Sequence, residues 1–334
     1  MADREVAVTL VAPASTDYGV NTISASAPGG TFTKLRSGQV SDVVARNPIQ
    51  EEAMDITAPA SIVAGAYGVT GTIECPLRKD TATKALFQSL MGEPATADNY
   101  TLTQTPYELA LRITDEQAND GDGTTVYYLG VGMSSCELSL NVGEYAKCKW
   151  SWIGRRGVTT DTPVNDSTTT FDAHPMLVFY NATLTLASTP VKAKGVTLTI
   201  DRKFDQDYRY IGSQFLQGLY MNGMTTLGGS LTLGASEWDM LQQIIAGNTD
   251  TGLQALDATK TEFAGTLLNP TAGGELKLTL RTPSGATTQV TITATNAIIT
   301  DMNRSVQNRN MWEKTVNFQC ALPTAAAFSV VFAS

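Results

Sequence analysis

The stretch Gly65–Gly92, GAYGVTGTIECPLRKDTATKALFQSLMG, leaves few folds open. Val69, Gly71, Ile73, Cys75 and Leu77 alternate with Thr70, Thr72 and Glu74, the period of a strand with one buried face. Asp80 can cap a helix that carries Leu86 and Leu90 on one stripe and stops at Gly92. The same arrangement returns at Gly223–Gly247, GMTTLGGSLTLGASEWDMLQQIIAG. There Leu227, Gly229, Leu231 and Leu233 answer Val69, Gly71, Ile73 and Cys75, while Ser236 takes the capping position. Leu241, Ile245 and Gly247 answer Leu86, Leu90 and Gly92. A second pair of runs agrees. Tyr145–Gly154, YAKCKWSWIG, aligns with Met311–Cys320, MWEKTVNFQC, and sets Trp150 on Val316 and Trp152 on Phe318. Two copies of one unit point to a duplicated fold, with equivalent helices expected near 80–91 and 236–246.

A chain of 334 residues suits two domains. The expected division is a first β domain over 1–155 with an N-terminal arm, a polar linker over 156–172 and a second β domain over 173–334. Hydrophobic content of 42% supports a core in each half, while charged residues are only 16%, well under the usual quarter. Thr, Ser, Ala and Gly take their place, which suits β surfaces covered by other copies. The net charge of −9 lies in the first half: residues 1–172 hold 12 Lys and Arg against 21 Asp and Glu, and residues 173–334 hold 11 of each. No basic face for binding nucleic acid is expected. Met1–Asp17 has no long apolar core and no run approaches a membrane span. Cys75, Cys136, Cys148 and Cys320 are therefore expected as buried free thiols.

Along the chain, strands are expected at 31–40, 100–103, 107–114, 124–133, 136–142 and 145–153, then at 176–186, 191–204, 263–268, 275–281, 289–295, 297–304 and 311–322. ANDGDG, Ala118–Gly123, is a hairpin turn. Ser41–Ser61 and Asp205–Gly218 are read as long loops after equivalent strands, and loops beyond about 12–15 residues call for a functional reason.

Chemistry-bearing patterns are weak. His174 is the one histidine and stands beside the linker. Asp115, Asn119, Asp120 and Asp122 lack the glycine and distal glutamate of a calcium loop. Asp201, Asp205 and Asp207 are interleaved with Arg202, Lys203 and Arg209, a mixed-sign surface more than a metal site. The GVG at Gly130 lacks the rest of a dinucleotide motif. No enzyme, metal or cofactor is expected.

The order of elements is a strand, a long loop, a glycine-bearing strand with Tyr67, Gly68, Gly71 and Ile73, then a capped helix ending in Leu90–Gly92, then a β meander. This resembles the major tail tube proteins of long, non-contractile-tailed bacteriophages (siphovirus type), most closely over residues 30–155. The resemblance implies a β-sandwich or half-barrel per copy with one flanking α-helix. It implies rings of subunits stacked into a tail tube that conducts DNA during ejection without binding it specifically. It implies a virion protein assembled in the host cytoplasm, with tape measure, terminator and distal tail proteins as partners and no membrane. The full second copy departs from the single tube fold of many members. Three such subunits would then supply the six folds of a ring; a hexamer with the second copy outside is the other arrangement. An adhesin or receptor-binding β-sandwich of a virion, or a capsid decoration protein, is the alternative class. Contacts between subunits or rings are expected at Arg46, Asn47, Glu51, Glu52, Tyr208, Arg209 and Tyr210, because aromatic and Arg side chains anchor interfaces.

Overall fold

The computed structural model describes residues 3–11, 23–24, 27–28, 32–36, 38–51, 61–94, 96–103, 105–116, 124–160, 174–186, 189–234, 274–285, 287–305, 313–322 and 324–333. The earlier part of the chain forms β1 (Asp3–Val11), β2 (Ile23–Ser24), β3 (Ala27–Pro28), β4 (Thr33–Leu35), β5 (Gln39–Glu51), β6 (Ser61–Pro76), α1 (Thr81–Met91), β7 (Asn99–Thr101), β8 (Glu108–Glu116), β9 (Thr124–Asn141), β10 (Lys147–Gly154) and β11 (Arg156–Thr160). The later part forms β12 (Thr183–Leu186), β13 (Thr189–Val191), β14 (Ala193–Asp201), β15 (Thr226–Leu233), β16 (Leu276–Arg281), β17 (Thr288–Ala294), β18 (Ala297–Ser305), β19 (Glu313–Cys320) and β20 (Phe328–Phe332). The fold is mainly β, with two principal antiparallel sheets and one α-helix among the described residues.

The large sheet has a continuous path of eight strands, β18-β19-β15-β14-β9-β10-β6-β5, and β1, β4, β8 and β11 branch from its middle around β9. The smaller sheet runs β13-β12-β16-β17-β20-β7. Alternation decides which face of the long path is buried. Ile73, Cys75, Leu138, Leu140, Cys148, Trp150, Val196, Leu198, Leu231 and Val316 are all buried in one core, and the residues between them face outward.

Helix α1 forms where the cap signals stand. Asp80 accepts from the Thr83 amide at 2.7 Å, and Gly92 closes the helix at φ 103°. Most of α1 is buried, with Thr81, Lys84 and Gln88 outside, because the helix packs on both sheets at once: Phe87 meets the Trp150 ring edge-on at 4.9 Å and the Phe332 ring at 5.7 Å. The segment 236–246, expected as the equivalent helix, lies outside the described residues.

Several elements differ from the sequence reading. Ser41–Ser61 begins as strand: β5 pairs with β6 from Gln39↔Glu74 to Glu51↔Ser61, a hairpin that outruns the end of β10. Its register shifts between Arg46 and Pro48, so the proline stands at a bulge where the ladder can spare its missing N–H. The expected strand 31–40 is split into β4 and the start of β5. The stretch expected as a linker starts instead with strand β11, which pairs with β9 from Arg156↔Leu129 to Thr160↔Thr125. The two strands expected at 124–133 and 136–142 are one, β9, bent at Gly130 in the left-handed region at φ 59°. That bend lets one strand serve the β8 ladder at its start and the β10 ladder at its end. The chain's last strand, β20, sits inside the smaller sheet between β17 and β7.

The two halves of the long path share detailed geometry. Trp152 lies opposite Gly71, and Phe318 lies opposite Gly229. A Cβ on Gly71 would come within 2.5 Å of the Trp152 ring, and one on Gly229 within 2.8 Å of the Phe318 ring. The β10/β9 ladder skips a residue beside Ser151/Trp152, and there Ser134 Oγ donates to the Ser151 carbonyl at 3.1 Å. The β19/β18 ladder skips one at Ile299/Asp301, and there Thr300 Oγ1 donates to the Asn317 carbonyl at 3.3 Å. Asn296, before β18, takes φ 60°, as Gly130 does within β9.

Candidate assembly interface

Three features present surface to the surroundings: the two ends of the large sheet, the β5/β6 hairpin with the loop beside it, and the sheet's open face. Strands β5 and β18 each pair on one side only among the described residues, with β6 and β19 respectively. Each therefore offers a row of backbone donors and acceptors to another strand. On β5, Val43 and Val44 are 56% and 50% exposed although they point to opposite faces. Further along the hairpin, Ile62 and Val63 are exposed as well. Apolar, β-branched residues on both faces of a strand suit a covered position better than a solvated one.

The loop between β14 and β15 folds back over the first half of the sheet. Arg202 anchors it. Its guanidinium is buried and donates to the Leu90 carbonyl at 2.6 Å and the Thr103 carbonyl at 2.7 Å. Leu90 lies in the last turn of α1, so a cation here meets the negative end of the helix. Burial pulls the Arg202 pKa down to about 10, still well above neutrality. Beyond it, Phe204 and Leu216 pack on Ile153 of β10. Arg209 staples the loop to the hairpin, donating to the carbonyls of Gln206 (2.7 Å), Tyr67 (3.0 Å) and Gln214 (3.3 Å) and to Asp207 (3.0 Å). Tyr67 in turn packs edge-on against Phe215 and lies under Arg46. Tyr208 stacks near Tyr210 and Tyr220, and its hydroxyl meets that of Tyr210 at 2.6 Å. Hydrogen bonds to Tyr210 and Tyr220 push the Tyr208 phenol upward in pKa.

The residues expected as contacts thus divide. Arg46 is exposed on β5, Asn47 and Glu51 lie on the same strand, and Glu52 falls outside the described residues. Arg209 spends its donors inside the chain, whereas Tyr210 is 60% exposed. Sequence reasoning missed Ile211, Tyr220 and Met224, all exposed on the same loop, and Val43 and Val44 on the strand edge. A signal was present: a run such as YIG inside a polar loop sets an apolar residue where no alternation can bury it.

The open face is polar and sparsely charged. Among the described side chains it carries Glu74, Glu137, Asp201 and Asp301 as carboxylates against Lys147 and Lys149. Lys149 stands between Glu74 and Glu137 on the neighbouring strands, and Lys147 pairs with Glu144 at 3.3 Å. Asp201 pairs with Lys203 and Asp207 with Arg209, while Asp205 accepts from the Asp207 amide, so the carboxylate cluster is spent on ion pairs and a turn. Among the described residues no group of three or more His, Cys, Asp or Glu could hold a metal ion, and no helix is long and apolar enough to cross a membrane. All four cysteines are free and buried.

The described residues thus offer a mainly antiparallel sheet with two edge strands, a projecting hairpin and a polar open face. The chain belongs to the phage tail tube family: the family model described as phage tail tube protein matches residues 6–320. Comparison with curated proteins gives no match. Membership makes it a structural component of a bacteriophage tail.

Proposed function

We propose that this protein is the tube-forming subunit of a long, non-contractile phage tail, built from two tandem tube folds. Three subunits form a ring of six folds, and stacked rings form the conduit for DNA ejection. The observation that carries this reading is the order of the long path. Strands β5-β6-β10-β9 and β14-β15-β19-β18 repeat in sequence, and β14 of the second set pairs with β9 of the first. The chain thus contains one head-to-tail joint between two similar four-stranded sets, and a rotation that repeats such a joint closes a ring. In a hexamer of first halves with the second copy outside, β9 would have to pair with β5 of a neighbour. Its edge is already held by β14 from Gly195↔Asn141 to Asp201↔Ser135, which favours the trimer.

With about 4.8 Å between strands and a tilt of about 40°, three eight-strand paths would close at a diameter of about 48 Å between backbones, wider than a DNA duplex. The open face then lines the bore. Its lysines stand beside carboxylates, so phosphates find no free cation stripe to hold them, and DNA slides without specific binding. The subunit carries no catalytic role in this reading. The β5/β6 hairpin and the loop carrying Tyr210, Ile211 and Met224 contact the next ring. Tape measure, terminator and distal tail proteins meet the tube at its ends. Negative-stain microscopy of the purified protein tests this: rings or tubes are expected, and a population of single particles at high concentration overturns it.

A further inference from the structure

We infer that Asn222–Gly223, in the loop between β14 and β15, is a self-modifying site, where the chain cyclises to a succinimide and reopens as aspartate or isoaspartate. The reaction needs water and no other reagent.

This is the one Asn-Gly pair in the chain. Its setting leaves both reacting groups free. The segment before it is held: the Asp205 amide donates to the Tyr220 carbonyl and the Asn222 amide to the Lys203 carbonyl, both at 2.7 Å. The next rung belongs to β15, where Thr226 lies opposite Asp201. Between these two anchors the Gly223 amide and the Asn222 side chain make no hydrogen bond among the described residues. Both residues are exposed. A Cβ built on Gly223 would meet only the aliphatic stem of Lys203, at 3.3 Å, so the bare glycine leaves open space beside its nitrogen.

Asn141, Asn181 and Asn317 differ in both respects. The side-chain amides of Asn181 and Asn317 donate at 2.7 Å to the Thr282 carbonyl and to Asp301, and the next residues are Ala182 and Phe318. Asn141 donates to Glu144 at 3.4 Å and precedes the β-branched Val142.

The steps balance without an oxidant. The Gly223 nitrogen gives its proton to solvent and attacks Asn222 Cγ. The N–Cγ bond forms, the Cγ–Nδ2 bond breaks, and Nδ2 takes a proton from water and leaves as ammonia. One water then opens the ring, and the nitrogen recovers its proton. Attack at Cγ breaks the new bond and leaves an aspartate side chain. Attack at the backbone carbonyl breaks the original peptide bond and leaves isoaspartate, whose main chain is longer by a carbon. Either product sets a carboxylate next to Met224, which is 88% exposed. In the proposed tube this loop meets the next ring, where a desolvated carboxylate weakens the contact. That consequence rests on the ring reading, while the modification does not.

Peptide mapping by mass spectrometry tests the site on the folded protein, held at mildly alkaline pH and sampled over time. The peptide with Asn222 is expected to pass through an ammonia-loss form, then to gain the mass difference of OH for NH2 and to separate into two products. Peptides with Asn141, Asn181 and Asn317 are expected to stay unchanged. No gain at position 222, or equal gains at all four, overturns the site. Gly223→Ala is the control: Gly223 is outside the left-handed region, so alanine fits its backbone, and the gain at Asn222 is expected to be lost. A gain that persists unchanged in Gly223→Ala also overturns the site. Asn222→Asp carries the new charge from the start. It is expected to keep the unfolding midpoint of the unaltered protein and to form shorter tubes. Full-length tubes from Asn222→Asp overturn the effect on stacking. Absence of rings and tubes from fresh, unaltered protein overturns the ring reading instead, and the mass readout decides the site in either case.

Discussion

Single glycines and single thiols decide much of how this sheet holds together. Gly71 and Gly229 each lie beneath an aromatic ring and beside a backbone carbonyl, and a carbonyl cannot move aside as a side chain can. Gly71→Ala and Gly229→Ala are each expected to cost about 2–3 kcal/mol through overpacking. Gly68→Ala, on the same strand as Gly71, meets nothing within 4 Å and is expected to be near neutral. Urea unfolding of the three proteins measures this; equal effects at Gly68 and Gly71 would remove the packing explanation. The buried thiols add a pH dependence. Burial raises Cys320 from 9.0 to about 12. Below about pH 9 the thiol is neutral in both states and contributes nothing to any change. Above it the unfolded chain gains by ionising while the folded chain does not, so stability falls between pH 9 and 12. Tyr100, raised from 10.0 to about 12 by burial and by Asp98, loses stability over the upper part of the same window. Burial also holds the Cys75 thiol up, as a bond to Cys136 and burial do for Cys148, so thermal unfolding across this range checks the sign and Cys320→Ala should lessen, not abolish, the lower part of the fall.

At the scale of elements, the loop between β14 and β15 depends on Arg202, and the hairpin depends on that loop. Arg202→Met keeps the aliphatic stem but leaves the Leu90 and Thr103 carbonyls without their donor. A loss of about 2–4 kcal/mol is expected, together with earlier proteolytic cleavage between residues 203 and 225. In the proposed tube the end of the hairpin serves assembly more than folding. Ile62→Lys with Val63→Lys replaces exposed side chains, so unfolding midpoints are expected to stay within about 0.5 kcal/mol while tube length drops; unchanged tubes would detach the hairpin from ring stacking. The sequence carried α1 because its signals are local: a cap at Asp80 and a stop at Gly92. Strand β5 was not legible. Val40, Val43, Val44 and Ile49 do not alternate, and Pro48 argues against a ladder until the bulge beside it is known. Its strand state comes from pairing with β6, and its Val43 and Val44 stay exposed among the described residues. Arg202 and Arg209 were equally hidden, since a surface charge cluster and a buried staple share one sequence pattern.

For the whole molecule, the proposed ring treats the large sheet as a segment of a larger closed surface, with the β14/β9 joint as one of its seams. Its sparse charge, its branch strands on one side and its polar open face on the other all suit a wall between a core and a bore. In the proposed ring the acidic excess of residues 1–172 alternates with the neutral balance of 173–334, so no two acidic halves adjoin. The central claim is that three chains, each supplying two similar folds, make one ring. Cryo-microscopy of the assembled tube counts them: three chains per ring with pseudo-six-fold symmetry is the result expected. Six chains per ring, with residues 173–334 on the outer surface, would contradict it.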